Sequence, residues 1–285
     1  MTDVTPPVRW LTAFIDRPAE RFDETVAFWT AVTGSSLSSR RGHTGEFATL
    51  VPPDGDAYLR VQRIDDGPGG CHIDLHVDDV EVAARRAELL GAEAHHAEDG
   101  LVVLRSPAGL WFCAVHHDGE SARPGVPNVD GRSRTRVDQV CIDVPPDEYD
   151  RECRFWAAVT CWEHRAALLP EFSYTVRPDP IAIRLLFQRR DTAPSRDVAR
   201  AHLDLACDDV ATAVADHTAL GARVVAVHEH WTVMADPSGL PYCLTVREPD
   251  SGVRRATPEG VGRDHPAGQQ SDPLNVPTSR PEEQS

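Results

Sequence analysis

The chain has 285 residues, 41% of them hydrophobic, and a formal net charge of −16. That suits two domains with a core each, and the acidic balance argues against nucleic acid or an anionic membrane as partner. No run approaches the roughly 18 apolar residues that span a bilayer. Seven cysteines without a C-x-x-C pair read as free thiols, and MTDVTPPVRW has no secretory pattern, so the expected location is cytoplasmic.

In chain order, RWLTAFID reads as a strand. AERFDETVAFWTAVTG follows as a helix, with Phe22, Val26, Trp29 and Val32 at helical spacing and Gly34 as its stop. Three short strands come next: a basic stretch near Ser38, EFATLVP and AYLRVQRI. HIDLHV then opens a second module, DDVEVAARRAELLG is a helix between an Asp cap and a Gly, and three more short strands close it. The order is βαβββ, twice.

The same string then returns a domain's length later. CHIDLHVDDV is answered by AHLDLACDDV, FWTAVTG by FWAAVTC, SPAGLWFC by DPSGLPYC and RVQR by LFQR. Tyr149, Cys153, Trp156 and Val159 keep the spacing of the first helix. The expected boundaries are a first domain over 1–118, a Gly/Pro/Ser-rich linker over 119–133, a second domain over 134–247, and a disordered tail over 248–285 that is almost free of apolar residues.

Strand alternation assigns faces. Ile73, Leu75 and Val77 pack on the helices, which leaves His72, Asp74 and His76 on the opposite face. Trp10, Phe14, Tyr58, Gln62, Trp111 and Cys113 join them, and in the second copy so do His202, Asp204, Gln139, Gln188 and Cys243. Aromatics beside a few convergent polar groups describe a ligand pocket better than a solvated sheet. A sheet curled into a cup would produce this face.

These residues resemble the vicinal oxygen chelate superfamily, in particular its glyoxalase-like domain, related to glyoxalase I, extradiol dioxygenases and bleomycin-resistance proteins. The resemblance rests on the tandem βαβββ modules, FW in the first helix, H-x-D-L-x-x-D-D opening the second module and S/D-P-x-G-L-x-x-C before the last strand. It implies an α+β fold: two cupped mixed β-sheets with helices outside. It also implies a divalent metal on the cup face in catalytic members. His72 and His202 match the family's histidine. The first-strand ligand positions fall on Trp10 and Val137, which cannot bind metal, and the last-strand glutamate is Cys113 or Cys243. Gln62 and Gln188 are the remaining donors, a thin set for a hard ion or zinc.

The plainer reading of His72 and Asp74 is a hydrogen-bonded pair steadying the cup wall. Cys113 and Cys243 read as small buried residues, the FW pairs as helix-to-sheet packing, Glu46 and Glu171 as strand-edge carboxylates, and the HH pairs as surface. Two functions follow. In the first, each cup binds a small aromatic or planar organic molecule without an intact family metal site. Its ligand-binding candidates are Trp10, Phe14, Tyr58, Gln62, His72, Asp74, Trp111, Gln139, Gln188, His202 and Asp204; the first half, with Trp10 and Trp111, is the stronger expected binder, and the two copies act as a pseudo-dimer. In the second, the chain is a divalent-metal-dependent lyase, isomerase or dioxygenase, with metal candidates His72, Cys113, Gln62, His202, Cys243 and Gln188. No catalytic residue is assigned.

Overall fold

The computed structural model describes residues 8–129, 131–191 and 197–255. The first half runs β1 (Trp10–Pro18), a 3-10 turn (Ala19–Arg21), α1 (Phe22–Thr33), β2 (Ser36–Leu37), β3 (Phe47–Val51), β4 (Leu59–Ile64), β5 (Gly70–Val77), α2 (Val80–Leu89), β6 (Glu93–Glu98), β7 (Leu101–Arg105) and β8 (Trp111–His116). The second half repeats it: β9 (Thr135–Val144), α3 (Tyr149–Thr160), β10 (Glu163–Ala166), β11 (Phe172–Val176), β12 (Arg184–Arg189), β13 (Arg200–Cys207), α4 (Val210–Ala219), β14 (Arg223–Val227), β15 (Trp231–Ala235) and β16 (Pro241–Thr245). Each half is one eight-stranded mixed sheet, ordered β2-β3-β4-β1-β5-β8-β7-β6 and β10-β11-β12-β9-β13-β16-β15-β14. This is the α+β fold of two cupped sheets that the resemblance implied. Among the described residues no helix is long and apolar enough to cross a membrane.

Local chemistry sets the element ends. The Asp79 and Asp209 carboxylates accept hydrogen bonds from the Val82 and Thr212 amides, capping the free N–H groups that start α2 and α4. Gly34 takes the left-handed conformation that ends α1, at φ 61°.

The FW pairs do pack helix against sheet, but across the two halves. Phe28 and Trp29 of α1 meet Tyr242 of β16, with ring centroids 5.8 and 5.3 Å apart. Phe155 and Trp156 of α3 meet Phe112 of β8 at 5.8 and 5.1 Å. Each long helix therefore reaches across to the other half while also touching strands of its own. Buried polar groups tie the exchange. Arg17 of β1 pairs with Asp236 at 2.6 Å, both side chains nearly inaccessible, and Trp29 Nε1 donates to the same carboxylate. In the mirrored place Glu152 accepts from Trp156 Nε1 and the Ala108 amide.

The residues between the halves lie on the first. Asp56 accepts from the Ser121 and Ala122 amides at 2.7 and 2.8 Å, and Gly125 donates to Asp54. A side chain at Gly55 would stand 2.7 Å from Pro124 backbone, so only glycine allows that approach. Glu120 reaches within 3.3 Å of His76 Nδ1, closing one end of the first cup. Residues Glu248–Arg255, assigned to the tail by composition, fold back on β13 and β16: Arg255 donates to Val246, and Arg134 pairs with Asp250. The rest of that tail, 256–285, lies outside the described residues.

Candidate functional site

The second cup is shaped by an irregularity in β9. Gln139 lies opposite Asp204, yet Val137 lies opposite Leu205. Asp138 is the extra residue of a bulge, and a bulge reverses the facing of what precedes it. Gln139, not Val137, is thus presented beside His202. His202 Nδ1 stands 2.8 Å from Asp143 Oδ2, while its Nε2 lies 3.3 Å from Asp204 Oδ1 and 3.5 Å from Cys243 Sγ. Gln139 Nε2 donates to Asp204 at 2.9 Å, and Gln139 Oε1 accepts from Arg184 Nε at 2.6 Å. Burial alone would lower the His202 pKa; the Asp143 carboxylate overrides it and holds the imidazole well above its usual range. Burial pushes the Cys243 thiol up to about 12, against the pull of His202.

Over this floor opens a cavity of about 130 Å3. Its walls are apolar: Leu168, Leu169, Phe172, Leu186 and Trp231. Gln188, His230, Arg184, Arg247 and Arg254 add polar groups to the lining.

In the first cup the corresponding space is filled by its own side chains. Phe14 stands where the second half has Cys141, and Arg60 where it has Leu186. The Phe14 ring stacks on His72, centroids 4.3 Å apart and planes at 16°. The Arg60 guanidinium lies 5.7 Å over Phe14 and 3.8 Å from Asp74. The other aromatic candidates are also engaged. Trp10 is fully buried and its indole N–H donates to the Ala57 carbonyl. Tyr58 is buried at the junction with Arg136 and Val137. Trp111 is 45% exposed, edge-on to His95 and under Arg105. The aromatics on which the first half was expected to be the stronger binder occupy its cup or pack away from it. His72 Nδ1 bonds Asp16 at 2.6 Å and only approaches Asp74, at 3.9 Å. Gln62 lies beside Asp16 across the β1–β4 ladder.

The donors of the second cup suit a borderline divalent cation. His202, Asp204 and Cys243 present ligand atoms within 4.8 Å of one another, as do His72, Asp74 and Cys113. Asp204 Oδ1 and Asp74 Oδ1 are buried without a hydrogen-bond partner. Asp143 and Asp16 hold the far side of each imidazole, as carboxylates behind metal-binding histidines do. A nitrogen, an oxygen and a sulfur donor form a set that zinc accepts. Asp204 and Asp74 are thus donors beyond the His, Gln and Cys counted from sequence.

Several site residues escaped the sequence reading. Asp16 and Asp143 recur as I-D at the same place in both copies, a signal that was available. Cys141 and Leu186 matter by being smaller than their twins. Arg254 lies in a stretch whose composition is that of a tail.

The profile of the glyoxalase-like domain matches residues 12–115 and again 139–245. No curated protein matches the chain significantly in sequence. Among solved structures, the Mn(II)-bound glyoxalase from Novosphingobium aromaticivorans superposes with a TM-score of 0.58 at 16% identity, covering 89% of this chain and 88% of that one. The 2,3-dioxygenase LapB from Pseudomonas sp. KL28 gives 0.58 at 12% identity, with 85% and 93% covered. A catechol 2,3-dioxygenase gives 0.57 at 15% identity, with 93% and 97% covered. At such identities the likeness is one of fold. With the domain matched twice and the two sheets built alike, the chain belongs to the glyoxalase-like domain family of the vicinal oxygen chelate superfamily, in two tandem copies.

Proposed function

We propose that the second cup binds a small organic molecule of about the size of one aromatic ring. The carrying observation is the cavity of about 130 Å3 between Phe172, Leu168 and Trp231 above a polar floor; an apolar cavity of about 150 Å3 accommodates benzene. Titration of the intact chain with single-ring compounds, followed by tryptophan fluorescence, tests it. The reading expects a saturable change that Trp231→Phe diminishes and Cys141→Phe abolishes, since the second change installs the ring that fills the first cup. A response untouched by Cys141→Phe would overturn it. All seven thiols are free, which supports a cytoplasmic setting.

Asp204 Oδ1, which accepts no hydrogen bond and faces His202 Nε2 at 3.3 Å, favours a second reading, a metal-dependent lyase, isomerase or dioxygenase. A divalent cation on His202, Asp204 and Cys243 would supply Lewis-acid polarisation of a ligand oxygen. The chain's own part is positioning: Asp143 fixes the imidazole ring, Gln139 fixes the Asp204 carboxylate, and Arg184 fixes Gln139. Elemental analysis of protein purified without a polyhistidine tag separates the readings. Stoichiometric metal lost on His202→Ala supports the enzyme; well under one ion per domain supports the binding protein.

A further inference from the structure

We infer that the second cup takes an organic anion, a single ring bearing one carboxylate, with Arg254 and Arg184 as the residues that hold the carboxylate. The inference rests on the ring-sized cavity proposed above and assigns its ligand a charge.

The chain is acidic, at −16 overall, yet this cavity gathers Arg184, Arg247 and Arg254 against one lining carboxylate, Asp204. Asp204 already accepts from Gln139 and faces His202. Arg247 is matched by Asp138 at 2.8 Å. The other two guanidinium groups are not: among the described residues no carboxylate pairs with Arg184 or Arg254. Arg184 gives its Nε to Gln139 and lies 4.3 Å over the Tyr174 ring, so its terminal nitrogens remain for a ligand. Burial, with Arg247 adding to it, lowers the Arg184 guanidinium to about 10, a cost that a bound anion would relieve.

Arg254 sits directly across a β-bridge from Arg247. Like charges facing each other across a ladder repel, and an anion between them reverses the sign. The turn that brings Arg254 there is well held: the Glu248 carboxylate accepts from the Asp250 and Ser251 amides at 3.0 and 2.6 Å, and Glu248 donates to the Val253 carbonyl. The first half serves as an internal control. Counting from the paired strands, its residues at the three arginine positions are Tyr58, His117 and Pro124. The arginines without a carboxylate partner therefore belong to the cup that is open. Paired guanidinium groups match a carboxylate in shape as well as charge.

The test titrates the full chain with benzoate and with benzamide, its neutral near-isostere, at constant ionic strength and with EDTA present so that no cation supplies the preference. Wild type should bind benzoate at least about tenfold tighter; exposed Arg254→Gln and half-buried Arg184→Gln should each weaken benzoate by roughly tenfold, and Arg254→Gln should leave benzamide unchanged. Equal binding of both probes, or benzoate affinity unmoved by Arg254→Gln, overturns the anion assignment and leaves the ring-binding reading standing. Failure of both probes to bind removes both.

Discussion

Phe14 stacks on His72 at 4.3 Å between ring centroids, and this contact closes the cup that the duplicate leaves open. The second half has Cys141 in the place of Phe14, opposite His202 in the same register. Interiors pack closely enough that one ring decides whether a pocket exists. Replacing Phe14 by Cys and Arg60 by Leu, the second-half residues, should open the first cup. Calorimetry should then show the stoichiometry for a ring-sized ligand rising from one to two per chain. A stoichiometry still at one would show that Phe14 is not the plug. Phe14→Ala alone should lower the unfolding free energy by about 3 kcal/mol in denaturant melts.

The ion pair between Arg17 and Asp236 joins the halves at 2.6 Å. Its carboxylate also accepts from Trp29, the Ser238 amide and hydroxyl, and Leu240. Asp236→Ala should leave Arg17 buried and uncompensated, and cost about 3–5 kcal/mol. Glu163→Ala, which breaks an exposed pair with Arg165, should change little. Comparable losses in the two variants would show that the buried pair does not hold the helix exchange together.

Stability should depend on pH through His217. Burial lowers this imidazole to about 4, and its Nδ1 lies 2.9 Å from the Tyr242 hydroxyl. The folded state keeps it neutral, whereas the unfolded chain takes up a proton below about 6.5. The contribution is therefore complete above pH 6.5 and is lost as pH falls toward 4, for a total of about 3 kcal/mol. His217→Gln should remove that share, so the difference between wild-type and variant unfolding free energies should fall with acid across this window. A difference that is flat with pH would contradict the burial argument.

The repeat made the fold legible. Two halves, each of two βαβββ modules and each with the same FW, H-x-D-L and P-x-G-L strings, leave little freedom, and apolar alternation set the core face of β5 and β13. The face of β9 was misjudged at Val137 because a bulge at Asp138 leaves no mark in an alternation pattern. Trp10, Phe14 and Tyr58 read as a pocket lining because alternation gives a side and not an occupancy: a ring on the cup face can receive a ligand or take its place. The helix exchange was out of reach for the same kind of reason. The spacing of Phe28 and Trp29 shows that they are buried, while which sheet buries them depends on how the halves meet. Arg254 was hidden by composition, since Glu248–Arg255 has the polar content of a tail and is ordered by its own turn.

The central claim is that a ring-sized ligand enters the second cup and not the first. Crystals soaked in bromobenzene and measured at the bromine edge locate the ring directly. One anomalous peak per chain is predicted, against the touching rings of Phe172 and Trp231 and above His202. A peak beside Phe14 and His72, or bromine bound only outside both cups, would contradict the account.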